Sequence, residues 1–193
     1  MRKIACISLL SGLLGALILL APTSARVQEK KGAPKPALSP SGAVLDAWND
    51  IGRRLIDMAE DFPEDKYDYK ATPAQRTFAE VLLHVAASNY YFTNPVTGKN
   101  EKIDENPSRA TYKTKSDVVA YLKKSFADGA AAIKAKGDKG MSEEVVEPFS
   151  NQYQRISDFA YGLAMHSSEH YGLLVAYYRL NGMVPPESRP KKK

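Results

Sequence analysis

Cysteine is almost absent from this chain, and its scarcity excludes several kinds of site. The single cysteine, Cys6, lies in an apolar stretch at the N-terminus that has the features of an export signal. If that stretch is removed, the mature chain has no thiol. Disulfides, thiolate metal ligands and cysteine nucleophiles are then excluded, although the compartment outside the cytoplasm would permit disulfides.

A concentrated basic stripe is also lacking. The formal net charge of +5 at pH 7 falls to +3 when the signal takes away Arg2 and Lys3, and part of the remainder comes from the terminal residues 191–193. A nucleic-acid-binding protein would be expected to carry a dense basic face on one element. We therefore predict no nucleic-acid partner and interpret the charge as solvated surface.

One long hydrophobic run is present, at the N-terminus. Arg2 and Lys3 precede an uncharged apolar run over residues 4–21, and small residues follow at positions 23–25. This order is typical of a signal peptide, residues 1–25, cleaved after Ala25. An uncleaved membrane anchor is the alternative, because a run of about 18 residues is at the lower edge of spanning length. Both interpretations predict an exported protein, periplasmic or extracellular, without membrane contact beyond the signal segment.

The rest of the chain divides into three parts. Residues 26–41 are rich in Lys, Pro, Gly and Ala and have almost nothing to bury, which predicts a disordered linker. Residues 42–189 are predicted to form one domain, which is long enough for a core of its own. Residues 190–193 form a basic tail.

Apolar residues recur at helical spacing in four segments of the domain, and no segment alternates with a period of two for long enough to make a sheet. The predicted helices cover residues 42–60, 78–92, 114–136 and 157–180. Four amphipathic helices predict an all-α fold, an antiparallel four-helix bundle with long loops between its helices. Trp48 lies on the apolar stripe of the first helix and is predicted to be in the core.

Three features mark the boundaries of these helices. Thr77 and Glu80 form a capping box at the start of the second helix. Residues 93–113, which contain Asn94-Pro95, are predicted to be a long loop, either a cover for a site or a disordered connector. Residues 141–154 are predicted to be a second, polar connector.

Histidine is the scarce residue that points to function, because the chain has only three. His166 and His170 are four residues apart, so both lie on one face of the last helix, within its apolar stripe. His84 lies near the edge of the stripe of the second helix. Neutral imidazole is a good ligand for divalent zinc, nickel or iron, and three protein ligands with an open position are typical of catalytic metal sites.

Three stretches resemble a known family, the DinB-like (YfiT-related) metal-binding four-helix-bundle proteins. They are Arg76–His84, His166–Gly172 and Tyr178–Pro186. In that family one histidine of the second helix and two from an HxxxH motif on the last helix bind a divalent metal, usually zinc or nickel. The resemblance implies that His84, His166 and His170 take these places. Characterised relatives include enzymes that use low-molecular-weight thiols of the reducing cytoplasm, such as mycothiol-dependent isomerases and bacillithiol transferases.

Two functions stay open. The first is a metal-dependent hydrolase or transferase acting on a small-molecule substrate. Its catalytic residues are not assigned, because Glu80 and Glu169, the acids of the matching motifs, are more typical of capping or solvated residues. The second is a non-catalytic module of the cell envelope that binds metal or another ligand. Hydrogen-bonded core histidines without metal are a third interpretation, but three buried imidazoles would need three sets of partners.

A homodimer is the remaining expectation. The resemblance implies a tendency to dimerise, and the predicted inward stripes leave some apolar residues unused. These are Ile56, Leu83 and Val175. Unused apolar residues on helix faces are consistent with packing against a second copy of the chain.

Overall fold

Four helices and one small hairpin make up the part of the chain that the computed structural model describes, residues 36–190. The helices are α1 (Pro40–Asp61), α2 (Phe78–Thr97), α3 (Lys115–Gly140) and α4 (Ile156–Leu180), and the hairpin strands are β1 (Glu144–Glu147) and β2 (Gln152–Arg155). The helices pack together, with α1 and α2 each against both α3 and α4. The predicted four-helix fold is therefore confirmed.

Three of the segments predicted from the sequence lie wholly or mostly outside residues 36–190. The signal peptide, most of the linker and the tail beyond residue 190 lie outside the described residues. None of the helices in residues 36–190 combines the length with the hydrophobicity that a membrane-spanning segment requires.

α1 begins two residues earlier than predicted, inside the segment assigned to the linker. Ser39 is the N-cap, and its hydroxyl accepts a hydrogen bond from the Gly42 amide at 3.3 Å. Pro40 follows in the first turn, where its missing N–H costs no helical hydrogen bond. Ser39 and Pro40 thus start the helix within a segment whose composition is typical of a disordered linker.

α2 begins as predicted and ends later. Thr77 and Glu80 form the expected capping box, with the Thr77 amide donating to Glu80 Oε2 at 2.7 Å. The predicted end at Phe92 is wrong, because Pro95 is accommodated in the last turn and the helix continues to Thr97. Gly98, with φ of 74°, ends the helix in the left-handed conformation.

The connector after α3 is the part of the fold that the sequence pattern missed. α3 departs from helical geometry at Gly137, where φ is 57°, close to its predicted end. The predicted connector contains most of the antiparallel hairpin, residues 144–155, in which Val146 lies opposite Tyr153. Each strand has only four residues, too few for an alternating pattern to be recognised. The chain is mostly helical, as predicted, and this hairpin is an addition that the sequence pattern did not predict.

The direction of the helices explains the long loop. The Phe78 ring stacks on Phe62 at 3.9 Å between centroids, and Lys115 Nζ donates to the Phe62 carbonyl at 2.8 Å. Both α2 and α3 therefore begin beside the C-terminal end of α1. These two consecutive helices therefore run parallel, so the predicted antiparallel arrangement is wrong for this pair. Residues 98–114 must return along the bundle, beside α2.

The core lies between the four helices, and the predicted inward stripes supply most of it. Trp48 is 1% exposed, as predicted, and its indole N–H donates to the Phe126 carbonyl at 3.0 Å. Leu83 is fully buried, so the expectation that it is left over for a dimer contact is wrong. A residue beside the predicted stripe can be buried because α2 is covered by both α3 and α4.

Candidate metal centre

The three histidines lie together in the seam between α2 and α4. His84 is in the second turn of α2, and His166 and His170 are one turn apart on α4. All three side chains are half-buried. The fold therefore brings together the three residues that the sequence proposed, from positions more than eighty residues apart.

The rings converge through one kind of nitrogen. His166 Nε2 is 3.2 Å from His84 Nε2 and 3.1 Å from His170 Nε2. One possible ligand atom from each of the three rings lies within 4.8 Å of the other two, and no other group of three histidine or acidic side chains in residues 36–190 meets this criterion. A three-histidine cluster of this kind can hold a divalent metal ion.

The loop after α2 determines the tautomer of His84. His84 Nδ1 lies 3.0 Å from the backbone carbonyl oxygen of Glu105. Because a carbonyl oxygen only accepts, Nδ1 carries the proton and Nε2 keeps its lone pair toward the other two rings. Metal-binding histidines commonly donate their second ring N–H to a carbonyl or carboxylate in this way.

The ring nitrogens of His166 and His170 cannot all find hydrogen-bond partners within the cluster. His166 Nε2 faces both neighbouring Nε2 atoms, but a neutral ring has one N–H and can direct it at only one of them. His166 Nδ1 is buried and has no hydrogen-bond partner in the described part of the chain. Three Nε2 atoms this close together fit a cation better than they fit each other, so the donor set suits a metal.

The surroundings keep these imidazoles neutral. Burial is the main cause that lowers the pKa of His84 and His166, and it lowers the pKa of His170 to about 4. The charge of Arg76 acts in the same direction on all three rings. Neutral imidazole is the form that binds metal, so the ligands are ready near pH 7 without losing protons.

The two acids of the matching motifs have other roles or positions. Glu80 accepts the hydrogen bond from the Thr77 amide in the capping box, as its position in the sequence predicted. Glu169 is exposed on α4. Neither carboxylate belongs to the group of converging ligand atoms in the described residues.

Glu105 is the residue of the site that the sequence did not reveal. It lies in the long loop and contacts His84 through its main chain, so no pattern of side-chain types could identify it. The loop is therefore not a disordered connector at this point, since it reaches the histidine cluster.

A cavity of about 490 Å³ lies at the N-terminal end of α2. It is lined in part by Arg76, Glu80 and Asn106, and Arg76 donates to the Asn106 side-chain oxygen at 2.9 Å. Glu80 is one helical turn before His84. A small molecule in this cavity would lie beside the histidine-bearing face of α2.

Comparisons with known proteins agree with this architecture. The sequence profile described as the DinB superfamily matches residues 47–174. The crystal structure of a DinB-like protein from Bacillus cereus ATCC 10987 superimposes with a TM-score of 0.61, covering 74% of this chain and 93% of that chain at 16% sequence identity. At this identity the likeness shows the fold alone. No curated protein matches the chain.

Proposed function

The chain belongs to the DinB superfamily, and from that premise we propose that it binds one divalent metal ion, zinc or nickel, through His84, His166 and His170. The convergence of three Nε2 atoms, two pairs of them 3.1–3.2 Å apart, is the observation that carries the proposal. Imidazole suits both metals, and a site of three nitrogen ligands leaves positions open for water or substrate.

The proposed activity is that of a hydrolase or transferase for a small molecule outside the cytoplasm. A bound ion of this kind lowers the pKa of water or polarises a substrate oxygen or sulfur. The protein's own part is to hold the three rings neutral and correctly oriented, through burial and through the bond from His84 to Glu105.

A metal- or ligand-binding module without catalysis is the second candidate. One observation favours it, namely that Glu80 is occupied as a helix cap and Glu169 is exposed. Neither acid of the matching motifs is therefore placed to act as a general base at the histidines.

Metal titration of single variants tests the ligand assignment. Replacing any one of the three histidines by Ala should sharply lower the affinity for zinc or nickel, measured by calorimetry, while the helical circular dichroism stays largely unchanged. Ser168→Ala is the matched control, because Ser168 is exposed between the two ligands of α4 and its hydroxyl donates only to the Ala164 carbonyl. If a histidine variant still binds one ion with the affinity of the control, the histidine that it lacks is not a ligand.

A substrate screen separates the two candidate functions. An enzyme should lose turnover on chelation, regain it with zinc or nickel, and be indifferent to thiol-alkylating reagents, since we propose that the mature chain has no cysteine. Turnover that needs an added low-molecular-weight thiol would instead favour a thiol transferase. Absence of turnover with full metal occupancy would favour the binding module.

Export and self-association are further proposals. Cleavage after Ala25 would be detected as a mature mass that begins at Arg26. A homodimer would have to use the half-buried Ile56 and Val175 without Leu83, which lies in the core. A monomeric mass by light scattering at micromolar concentration would contradict the dimer.

A further inference from the structure

Glu105 contacts α2 twice, through its main chain and through its side chain. Its backbone carbonyl lies 3.0 Å from His84 Nδ1, and its carboxylate accepts a hydrogen bond from the Tyr91 hydroxyl at 2.7 Å. His84 and Tyr91 are seven residues apart and therefore lie on one face of the helix. A single loop residue is thus held at two points along this face, and one of them is a candidate metal ligand.

Tyr91 is itself well placed to hold the loop. Its side chain is 8% exposed, and its ring stacks on Phe149 of the hairpin turn with centroids 4.1 Å apart and planes 28° from parallel. Burial and the bond to Glu105 raise the pKa of Tyr91 to about 12, so the hydroxyl keeps its proton at neutral pH. The stacked ring and the protonated hydroxyl make Tyr91 a rigid donor for the carboxylate.

We propose that Tyr91 is a positioning residue for the metal centre: its hydroxyl holds Glu105 so that the Glu105 carbonyl keeps the proton of His84 on Nδ1. The Nε2 lone pair of His84 then stays directed at His166 and His170. The consequence for metal affinity rests on the proposed function, whereas the consequence for the tautomer of His84 does not.

Other contacts hold the loop after Glu105, which makes the role of Tyr91 local. Arg76 donates to the Asn106 side chain, and Arg109 forms an ion pair with Asp68 at 2.9 Å. Removing the Tyr91 hydroxyl should therefore release the loop at Glu105 and leave its later part attached. The ring of Phe would still fill the buried space under Phe149.

Nitrogen-15 NMR of the metal-free protein tests the tautomer. In the wild type, His84 should be protonated on Nδ1, and in Tyr91→Phe it should become a mixture of the two tautomers. Tyr90→Phe is the matched control, because the Tyr90 hydroxyl donates to Asp128 on α3 at 3.0 Å and not to Glu105. A His84 tautomer that is the same in Tyr91→Phe as in the control would overturn the proposal.

Zinc affinity supplies the second readout. Loss of the partner that orients a metal-binding histidine typically lowers affinity by about 10- to 100-fold. Because Tyr91→Phe leaves the Glu105 carbonyl itself in the chain and only loosens its position, we expect a decrease of up to about 10-fold. Glu105→Ala should have a similar effect, whereas Glu105→Gln should retain most of the affinity because its amide oxygen can still accept from Tyr91. The double variant Tyr91→Phe/Glu105→Ala should be little weaker than either single variant, since both break one interaction.

Two results would contradict this scheme. Additive losses in the double variant would mean that the two residues act independently, and a Glu105→Gln variant as weak as Glu105→Ala would mean that the hydrogen bond is not what matters. If the wild type binds no zinc or nickel, the proposed function fails, but the tautomer measurement still decides the role of Tyr91.

Discussion

The close approach of Gly129 on α3 to Trp48 on α1 yields a quantitative prediction. A Cβ atom added to Gly129 of α3 would lie 2.2 Å from Cζ2 and 2.7 Å from Cε2 of Trp48. The Trp48 ring is 1% exposed, and the hydrogen bond from its indole N–H to Phe126 opposes its movement. Gly129→Ala should therefore force overpacking, which costs about 1–3 kcal/mol.

The helical preference of alanine partly offsets this cost and requires a control. Ala is favoured over Gly in a helix interior by about 1 kcal/mol, so the net destabilisation by Gly129→Ala is expected to be at most about 2 kcal/mol. Gly162 of α4 has no atom within 4 Å of its added Cβ, so Gly162→Ala should show the helical gain alone. The difference between the two variants then isolates the overpacking cost of about 1–3 kcal/mol.

Urea denaturation followed by circular dichroism measures this difference, and thermal unfolding gives an independent value at roughly 2–4 °C per kcal/mol for a chain of this size. Equal stabilisation by the two substitutions would refute the reasoning, because it would mean that α1 and α3 can separate around Trp48 without cost.

The remaining predictions concern pH. Protons compete with metal for imidazole. Zinc should therefore be released as the pH falls below the ordinary histidine pKa of 6.5 towards about 4, the lowered pKa of His170. Equilibrium dialysis at several pH values measures this release. In the metal-free protein the same lowered pKa means that the unfolded chain takes up protons first, so the free energy of unfolding should fall over the same range. The Arg189 guanidinium, bound to both oxygens of Asp61 at 2.6–2.7 Å, holds the pKa of that carboxyl below its ordinary value of 3.8. The stability from this pair is present above pH 3.8 and lost as the pH falls through the lower folded pKa, so the stability difference between the wild type and Asp61→Asn should shrink in acid.

The helices were predictable from the sequence because their signals are local. The Thr77–Glu80 capping box marked the start of α2 correctly, and the stripe containing Trp48 identified the buried face of α1. Pro95 was misleading, since a proline near the end of a helix is usually outside it. The hairpin was missed because its strands of four residues are stabilised by contact with α2, which a pattern along the chain does not record.

The histidine side chains of the site were predictable from the sequence, whereas the backbone contact that orients His84 was not. With only three histidines in the chain, helical spacing and the family resemblance were enough to propose His84, His166 and His170 together, and the fold brings them together. The contact of Glu105 with His84 uses a backbone carbonyl, which every residue has. Its position therefore depends on the path of the loop and becomes visible only in three dimensions.

The central claim is that the three histidines form one metal site, and the metal content of the purified protein tests it most directly. The wild type, prepared without an affinity tag and analysed by plasma mass spectrometry, should carry one zinc or nickel ion per chain. His166→Ala, which removes the ring whose Nε2 lies next to both others, should carry almost none. A wild type without metal after incubation with both ions, or a His166→Ala protein with full occupancy, would contradict the account.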